Sequence, residues 1–152
     1  MRAVDYARGL YKYLDIENYP IDLTKLFKPL KIRYLEDEGI IATGIAVKMP
    51  AMNLIIVNSS YPKSQMRFAL AHEIAHIVMP HKMEHYVCKH AKSPMENDAN
   101  RFAAELLMPK LLVEKLWYRY RENKENRIEL IANKLQVSKS ALQVRIKKLG
   151  LK

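Results

Sequence analysis

The residues best suited to chemistry lie in the stretch HEIAH, an HExxH motif at positions 72–76. His72 and His76 are four residues apart, so on a helix their imidazoles project from one face and can both bind one metal ion. Glu73 is turned by about 100° around the helix axis, where it can contact a water on that ion. A general base is needed at that point. The motif therefore predicts a catalytic zinc site.

A catalytic zinc site needs a third protein ligand and an open fourth position for water. The best candidate is Glu96, in a helix that the sequence predicts to begin near Ser93. Asn100 lies one turn later on the same face, where it can hydrogen-bond a ligating histidine and fix its tautomer. Glu105 is the rival candidate, but it points toward the opposite side of that helix. We therefore predict one zinc ion held by His72, His76 and Glu96.

Two helices must position these residues. The run SQMRFALAHEIAHIVM predicts a largely buried helix with an N-cap at Ser64 and an end at Pro80. Burying two imidazoles and a carboxylate in this apolar run would be costly without a partner, which a metal would supply. The run SPMENDANRFAAELLMP predicts a second helix, capped at Ser93 and stopped at Pro109.

The residues before these two helices predict an α+β fold. Residues 4–13 have helical spacing, and Asp22 is a plausible N-cap for a short second helix. The runs KIRYLED, ATGIAVKM and NLIIVN are rich in β-branched residues and predict a small, mostly antiparallel sheet. We expect an extended peptide to pair with an exposed edge of this sheet, which ATGIAVKM or NLIIVN could supply.

The C-terminal residues predict a helix around 111–120 and then two short helices around a turn at Gln136 and Val137. Ser138 would cap the last helix and Gly150 would end it. We divide the chain into a core at 1–120 and a helix-turn-helix-like segment at 121–152. Residues 119–152 hold 10 Lys and Arg against 3 Asp and Glu, a net of +7 out of +10 for the whole chain.

Two roles for this basic segment stay open. It could bind DNA, with Lys139, Gln143 and Lys147 along an exposed helix face. We favour the alternative that it packs on the core or docks a protein partner, because net charge alone does not identify a partner.

The composition also indicates the cellular compartment in which the protein is expected. The N-terminus is interrupted by Asp5, Asp15 and Glu17 and is not typical of a secretory signal, and no segment is apolar and long enough to cross a membrane. The single cysteine, Cys88, excludes an internal disulfide framework and fits a reducing compartment. We expect a cytoplasmic protein.

A second group of possible ligands matches no closed Cys/His zinc pattern. Its members are His81, His85, Cys88 and His90. We expect them to be loop residues, although one of them, or Tyr86, could reach the active site and stabilise an oxyanion.

The runs MRFALAHEIAHIVM and ENDANRFAAELLMP together resemble the ImmA/IrrE family of zinc-dependent metallopeptidases. IIVNSS and LQVSKSALQVRIKKLG fit the same pattern, so the resemblance extends from about Asp22 to the C-terminus. It implies a zincin-like core with a helix-turn-helix-like end. It also implies that His72, His76 and Glu96 bind zinc and that Glu73 is catalytic.

The resemblance further implies a protein substrate. Members of this family often relieve repression by cleaving a helix-turn-helix repressor encoded beside them, in mobile elements or stress responses. The expected function is thus a zinc endopeptidase that acts as an anti-repressor. The alternative is a DNA-binding or repressor-sequestering regulator in which the metal is structural.

Overall fold

The computed structural model describes residues 1–80 and 93–152, and the backbone of residues 85–88. The helices in these ranges are α1 (Ala3–Arg8), α2 (Lys63–Val78), α3 (Pro94–Leu107), α4 (Lys110–Arg119), α5 (Arg127–Leu135) and α6 (Lys139–Leu149). The strands are β1 (Ile32–Glu36), β2 (Gly44–Lys48), β3 (Asn53–Val57) and β4 (His85–Cys88). Two short 3-10 turns, Tyr11–Tyr13 and Leu23–Leu26, follow α1.

The four strands form one sheet in the order β1-β3-β2-β4. β1 is parallel to β3, whereas β2 is antiparallel to both β3 and β4. The predicted α+β class and the mostly antiparallel sheet are therefore confirmed. The expectation that β2 or β3 offers a free edge is wrong, because each of them has a strand on both sides. Strand order depends on long-range pairing, which local composition does not reveal.

Helix boundaries follow local chemistry, with two corrections. The predicted helix at 4–13 breaks at Gly9, a residue of low helix propensity, and continues only as a 3-10 turn. α2 begins at Lys63 and has Pro62 at its N-cap, instead of starting after Ser64. The Pro62 carbonyl accepts the first intrahelical bond, from the Met66 N–H at 2.9 Å.

The predicted caps of the other elements are confirmed. Ser93 accepts a hydrogen bond from the Glu96 N–H at 3.1 Å, and Ser138 accepts one from the Ala141 N–H at 3.1 Å. Asp22 accepts one from the Thr24 N–H at 3.0 Å. These caps satisfy backbone donors that would otherwise lack an intrahelical partner.

One hydrophobic core holds the helices to the sheet. α2 packs on β2 and β3 with one face and on α3 with another. α2 and α3 both carry fully buried small residues, which allow close approach of neighbouring backbones; they are Ala71, Ala75, Ala99 and Ala103. Side chains of α5 and α6, including Ile131 and Leu142, belong to the same core. The division of the chain at residue 120 stays a prediction.

Among the described residues, no helix has the length and the apolar character that crossing a bilayer requires.

Candidate metal centre

α2 and α3 bring His72, His76 and Glu96 together. The Nε2 atoms of the two histidines are 3.2 Å apart. Oε1 of Glu96 lies 3.2 Å from Nε2 of His72 and 2.9 Å from Nε2 of His76. All three residues are buried. The helical spacing aligns the two imidazoles, and the approach of α3 adds the carboxylate.

The three donor atoms fit a small divalent metal ion. Zinc binds imidazole nitrogen and carboxylate oxygen at about 2.0–2.2 Å, so the corners of its tetrahedral shell lie about 3.3–3.5 Å apart. The observed separations of 2.9–3.2 Å are close to these edges. Two imidazoles and one carboxylate are also a donor set that zinc accepts in catalytic sites. The group could therefore hold one metal ion.

Asn100 sets the tautomer of His72. Its Oδ1 lies 2.7 Å from Nδ1 of His72. An amide oxygen can only accept a hydrogen bond, so Nδ1 carries a proton, and in the neutral imidazole Nε2, which faces Glu96, is then the unprotonated nitrogen. The deprotonated nitrogen is the one that a metal requires. Glu96 and Asn100 lie one turn apart on α3, so a single helix supplies both contacts.

Glu73 is completely buried, where α2 passes over β2. Its side chain lies directly against Gly44, the first residue of β2. A Cβ atom at Gly44 would lie 2.9 Å from Cγ of Glu73 and 3.0 Å from Oε1. Only glycine leaves room for this carboxylate. Gly44 was not among the predicted site residues, although a glycine within a strand pattern is a known sign of close approach between backbone and side chain.

Replacing Gly44 with alanine is expected to displace the Glu73 carboxylate and lower kcat/KM by about 10–100-fold, the scale of a small misplacement in an active site. Zinc content should stay at the wild-type value because no proposed ligand is touched. The measurements are peptidase kinetics and metal analysis of the purified variant. Gly39→Ala, in the exposed turn before β2, is the matched control and should retain full activity. Equal activity of the two variants would contradict the role given to Gly44.

Glu105, the rival ligand, lies in a separate buried cluster. Its Oε1 accepts a hydrogen bond from Nε of Arg8 at 2.8 Å, and its Oε2 lies 2.8 Å from Nη2 of Arg145. The hydroxyl of Tyr11 donates to its backbone carbonyl at 2.7 Å. Glu105 thus links α1, α3 and α6, and it takes no part in the histidine group.

The electrostatics of this cluster follow from burial and pairing. The hydrogen bond to Glu105 raises the pKa of Arg8, which stays cationic. Burial, followed by the nearby Glu105 charge, raises the pKa of Tyr11 well above its usual range, so its hydroxyl remains a donor. The Glu105 carboxylate is therefore held between two cations and a neutral phenol.

The expectation that His85 and Cys88 are loop residues is wrong, because the backbone of both belongs to β4, which pairs with β2. The side chains of His81, His85, Tyr86, Cys88 and His90 lie outside the described residues.

A cleft of about 830 Å³ opens beside the candidate metal centre. His72 and Glu96 line it, as does Thr43, the neighbour of Gly44. A substrate could reach the histidine group from this side. Among the described residues, His72 and Glu96 are the proposed ligands that line the cleft, whereas His76 and Glu73 lie behind this lining.

Comparison with protein-family models matches residues 29–147 to the IrrE N-terminal-like domain of the Peptidase_M78 family. This match covers both motif helices and most of the C-terminal segment. Comparison with curated proteins gives no match. The α+β architecture with its small mixed sheet agrees with this family, and membership supports a function of the metallopeptidase type. The ImmA/IrrE resemblance is therefore confirmed: the chain belongs to the Peptidase_M78 family, whose IrrE N-terminal-like domain makes up most of its length.

Proposed function

We propose that this protein is a zinc-dependent endopeptidase in which His72, His76 and Glu96 hold one zinc ion and Glu73 is the general base. The observation that carries the proposal is the convergence of two imidazole nitrogens and one carboxylate oxygen within 3.2 Å of one another, next to an open cleft. When bound there, zinc would acidify a water molecule and polarise the scissile carbonyl.

The protein's own residues have separate tasks in this reaction. Asn100 holds His72 in the tautomer that leaves Nε2 unprotonated. Glu73 accepts a proton from the attacking water as oxygen bonds to the carbonyl carbon. It then donates that proton to the nitrogen as the peptide C–N bond breaks. Gly44 leaves the space in which the Glu73 carboxylate can lie.

We further propose that the substrate is a helix-turn-helix transcriptional repressor encoded near this protein's gene. The support is the ImmA/IrrE pattern of α2 and α3, since members with that pattern often cleave such repressors. In this role the protein is an anti-repressor of a mobile element or a stress response. It would act in the cytoplasm, which agrees with its single cysteine.

The proposal is tested with purified protein, zinc and the repressor encoded beside the gene. Metal analysis should give one zinc per chain, and mass spectrometry should find cleavage of the repressor at one or a few bonds. A chelator should stop cleavage, and added zinc should restore it. An unrelated helix-turn-helix protein serves as the control and should stay intact. Failure of the zinc-loaded protein to cut the repressor would overturn the proposed substrate.

One observation favours a second candidate, a DNA-binding regulator. Lys139, Gln143 and Lys147 are all exposed along one face of α6. DNA binding that falls steeply with salt and survives removal of zinc would support this role. Binding that requires the repressor would instead support docking of the repressor on α6.

A further inference from the structure

We propose that α6 is one wall of the substrate cleft and that the cleft selects a substrate segment with an apolar side chain near an acidic one. This inference rests on the proposed peptidase function and names the class of segment that the site accepts. The occupant is a stretch of the protein substrate, seated between α6 and the helices that carry the candidate metal centre.

The cleft joins the candidate metal centre to the C-terminal helix. His72 on α2 and Glu96 on α3 line it, and so does one face of α6. The lining residues of α6 are Ser140, Ala141, Val144 and Lys148. Ser140, Val144 and Lys148 are spaced by four residues, so they form a single stripe along the helix. This stripe faces the same space as the proposed ligands.

The opposite face of α6 holds the helix in place. Leu142 and Ile146 are buried in the core, and Arg145 is buried with them. Arg145 donates from Nε to the Met108 carbonyl at 2.9 Å, and its Nη2 lies 2.8 Å from Oε2 of Glu105. Glu105 belongs to α3, the helix that also carries Glu96. The wall is therefore tied to the same helix as a proposed zinc ligand, which fixes its distance from the site.

The charges along the cleft are complementary to an acidic group. Among the described lining residues, Arg101 and Lys148 are the cations, and the only anion is Glu96, which the proposed zinc ion would neutralise. Arg101 is half-exposed, with Nη1 2.8 Å from Asp98 on its own helix. Lys148 adds a second positive charge from the facing helix. An acidic side chain of the substrate would be attracted to these two cations. This attraction would strengthen binding and raise the association rate.

The same cleft offers apolar contact. Val144 is 54% exposed, and it lies on the stripe that faces the cleft. Phe68 of α2, which is partly exposed, adds apolar surface to the lining. A substrate with an apolar side chain would cover Val144 and gain the free energy of removing that surface from water. Because Val144 and Lys148 lie on the same stripe of α6, the preferred apolar and acidic side chains of the substrate should be close to each other.

The test uses a library of peptides made by digesting a whole proteome, with cleavage by the zinc-loaded full chain read by mass spectrometry. The wild-type cut sites should be enriched in an acidic residue and in an apolar residue near the cut bond. Lys148→Glu should reduce the acidic enrichment about fivefold. On one synthetic peptide chosen from the cut set, it should raise KM about tenfold with kcat within about twofold.

The matched control is Lys147→Glu. Lys147 is the next residue on α6, is exposed, and does not belong to the cleft lining. It carries the same charge change and should keep the acidic preference. Thermal melting of both variants checks that each remains folded.

Other outcomes of this test would contradict either the cleft assignment alone or the peptidase proposal as well. If the wild type cuts peptides without acidic enrichment, or if both variants shift the preference equally, the cleft assignment is overturned and the peptidase proposal stands. If the wild type cuts neither library peptides nor the repressor, the peptidase proposal fails and this inference fails with it.

Discussion

Replacing Glu73 with glutamine is expected to lower kcat for repressor cleavage by about 10²–10⁴-fold, the usual contribution of a general base. Glutamine has nearly the same shape as glutamate, so it fits the space beside Gly44, but its amide cannot take up a proton. Zinc content and melting temperature should stay close to wild type, because the proposed ligands are unchanged. The measurement is single-turnover cleavage of the repressor by the zinc-loaded variant.

The matched control for this variant is Glu122→Gln, which makes the same chemical change on a side chain that is 86% exposed. It should cleave at the wild-type rate. A Glu73→Gln protein that still relieved repression in cells would show that the protein works by binding its target. In that case the sequestering alternative would replace the peptidase.

Replacing Glu105 with glutamine is expected to lower the free energy of unfolding by about 3–5 kcal/mol, because it leaves Arg145 buried without its carboxylate. Arg145 is 8% exposed and Glu105 only 2%, so solvent compensates little for the lost charge. The measurement is urea unfolding of the zinc-loaded protein. The activity of the folded fraction should survive, because Glu105 does not contact the histidine group.

The control for the cluster is Arg8→Met. The Arg8 side chain is 49% exposed, so its ion pair is screened by water and its loss should cost less than about 1 kcal/mol. Unfolding of Glu105→Gln at the same urea concentration as wild type would contradict the structural role of this cluster. Loss of zinc by that variant while it remains folded would instead point back to Glu105 as a ligand.

Much of the local structure could be predicted because it depends on neighbours in the chain. Ser93 and Ser138 cap helices through bonds to residues three positions later, and the three β-branched runs became β1, β2 and β3. The break at Gly9 and the early start of α2 at Lys63 departed from prediction. Both lie at helix ends, where periodicity is a weak guide.

The contacts within the two sites required the packed chain. Glu105 lies nine residues after Glu96, so helix geometry alone predicts that the two carboxylates are on opposite sides of α3. Which face meets the histidines was decided by how α3 packs on α2. The pairing of Glu105 with Arg8 and Arg145 joins residues from the two ends of the chain, and no local pattern indicated it.

The sequence by itself determined the alignment of His72 and His76, since four residues make about one helical turn wherever the helix lies. It also determined the position of Glu73 next to them. Tertiary structure alone decided that Glu96 approaches the imidazoles, that Gly44 makes room for Glu73, and that α6 borders the cleft. These are distances between elements far apart in sequence. They are set by the packing of buried surfaces, which brings together residues that are far apart in the sequence.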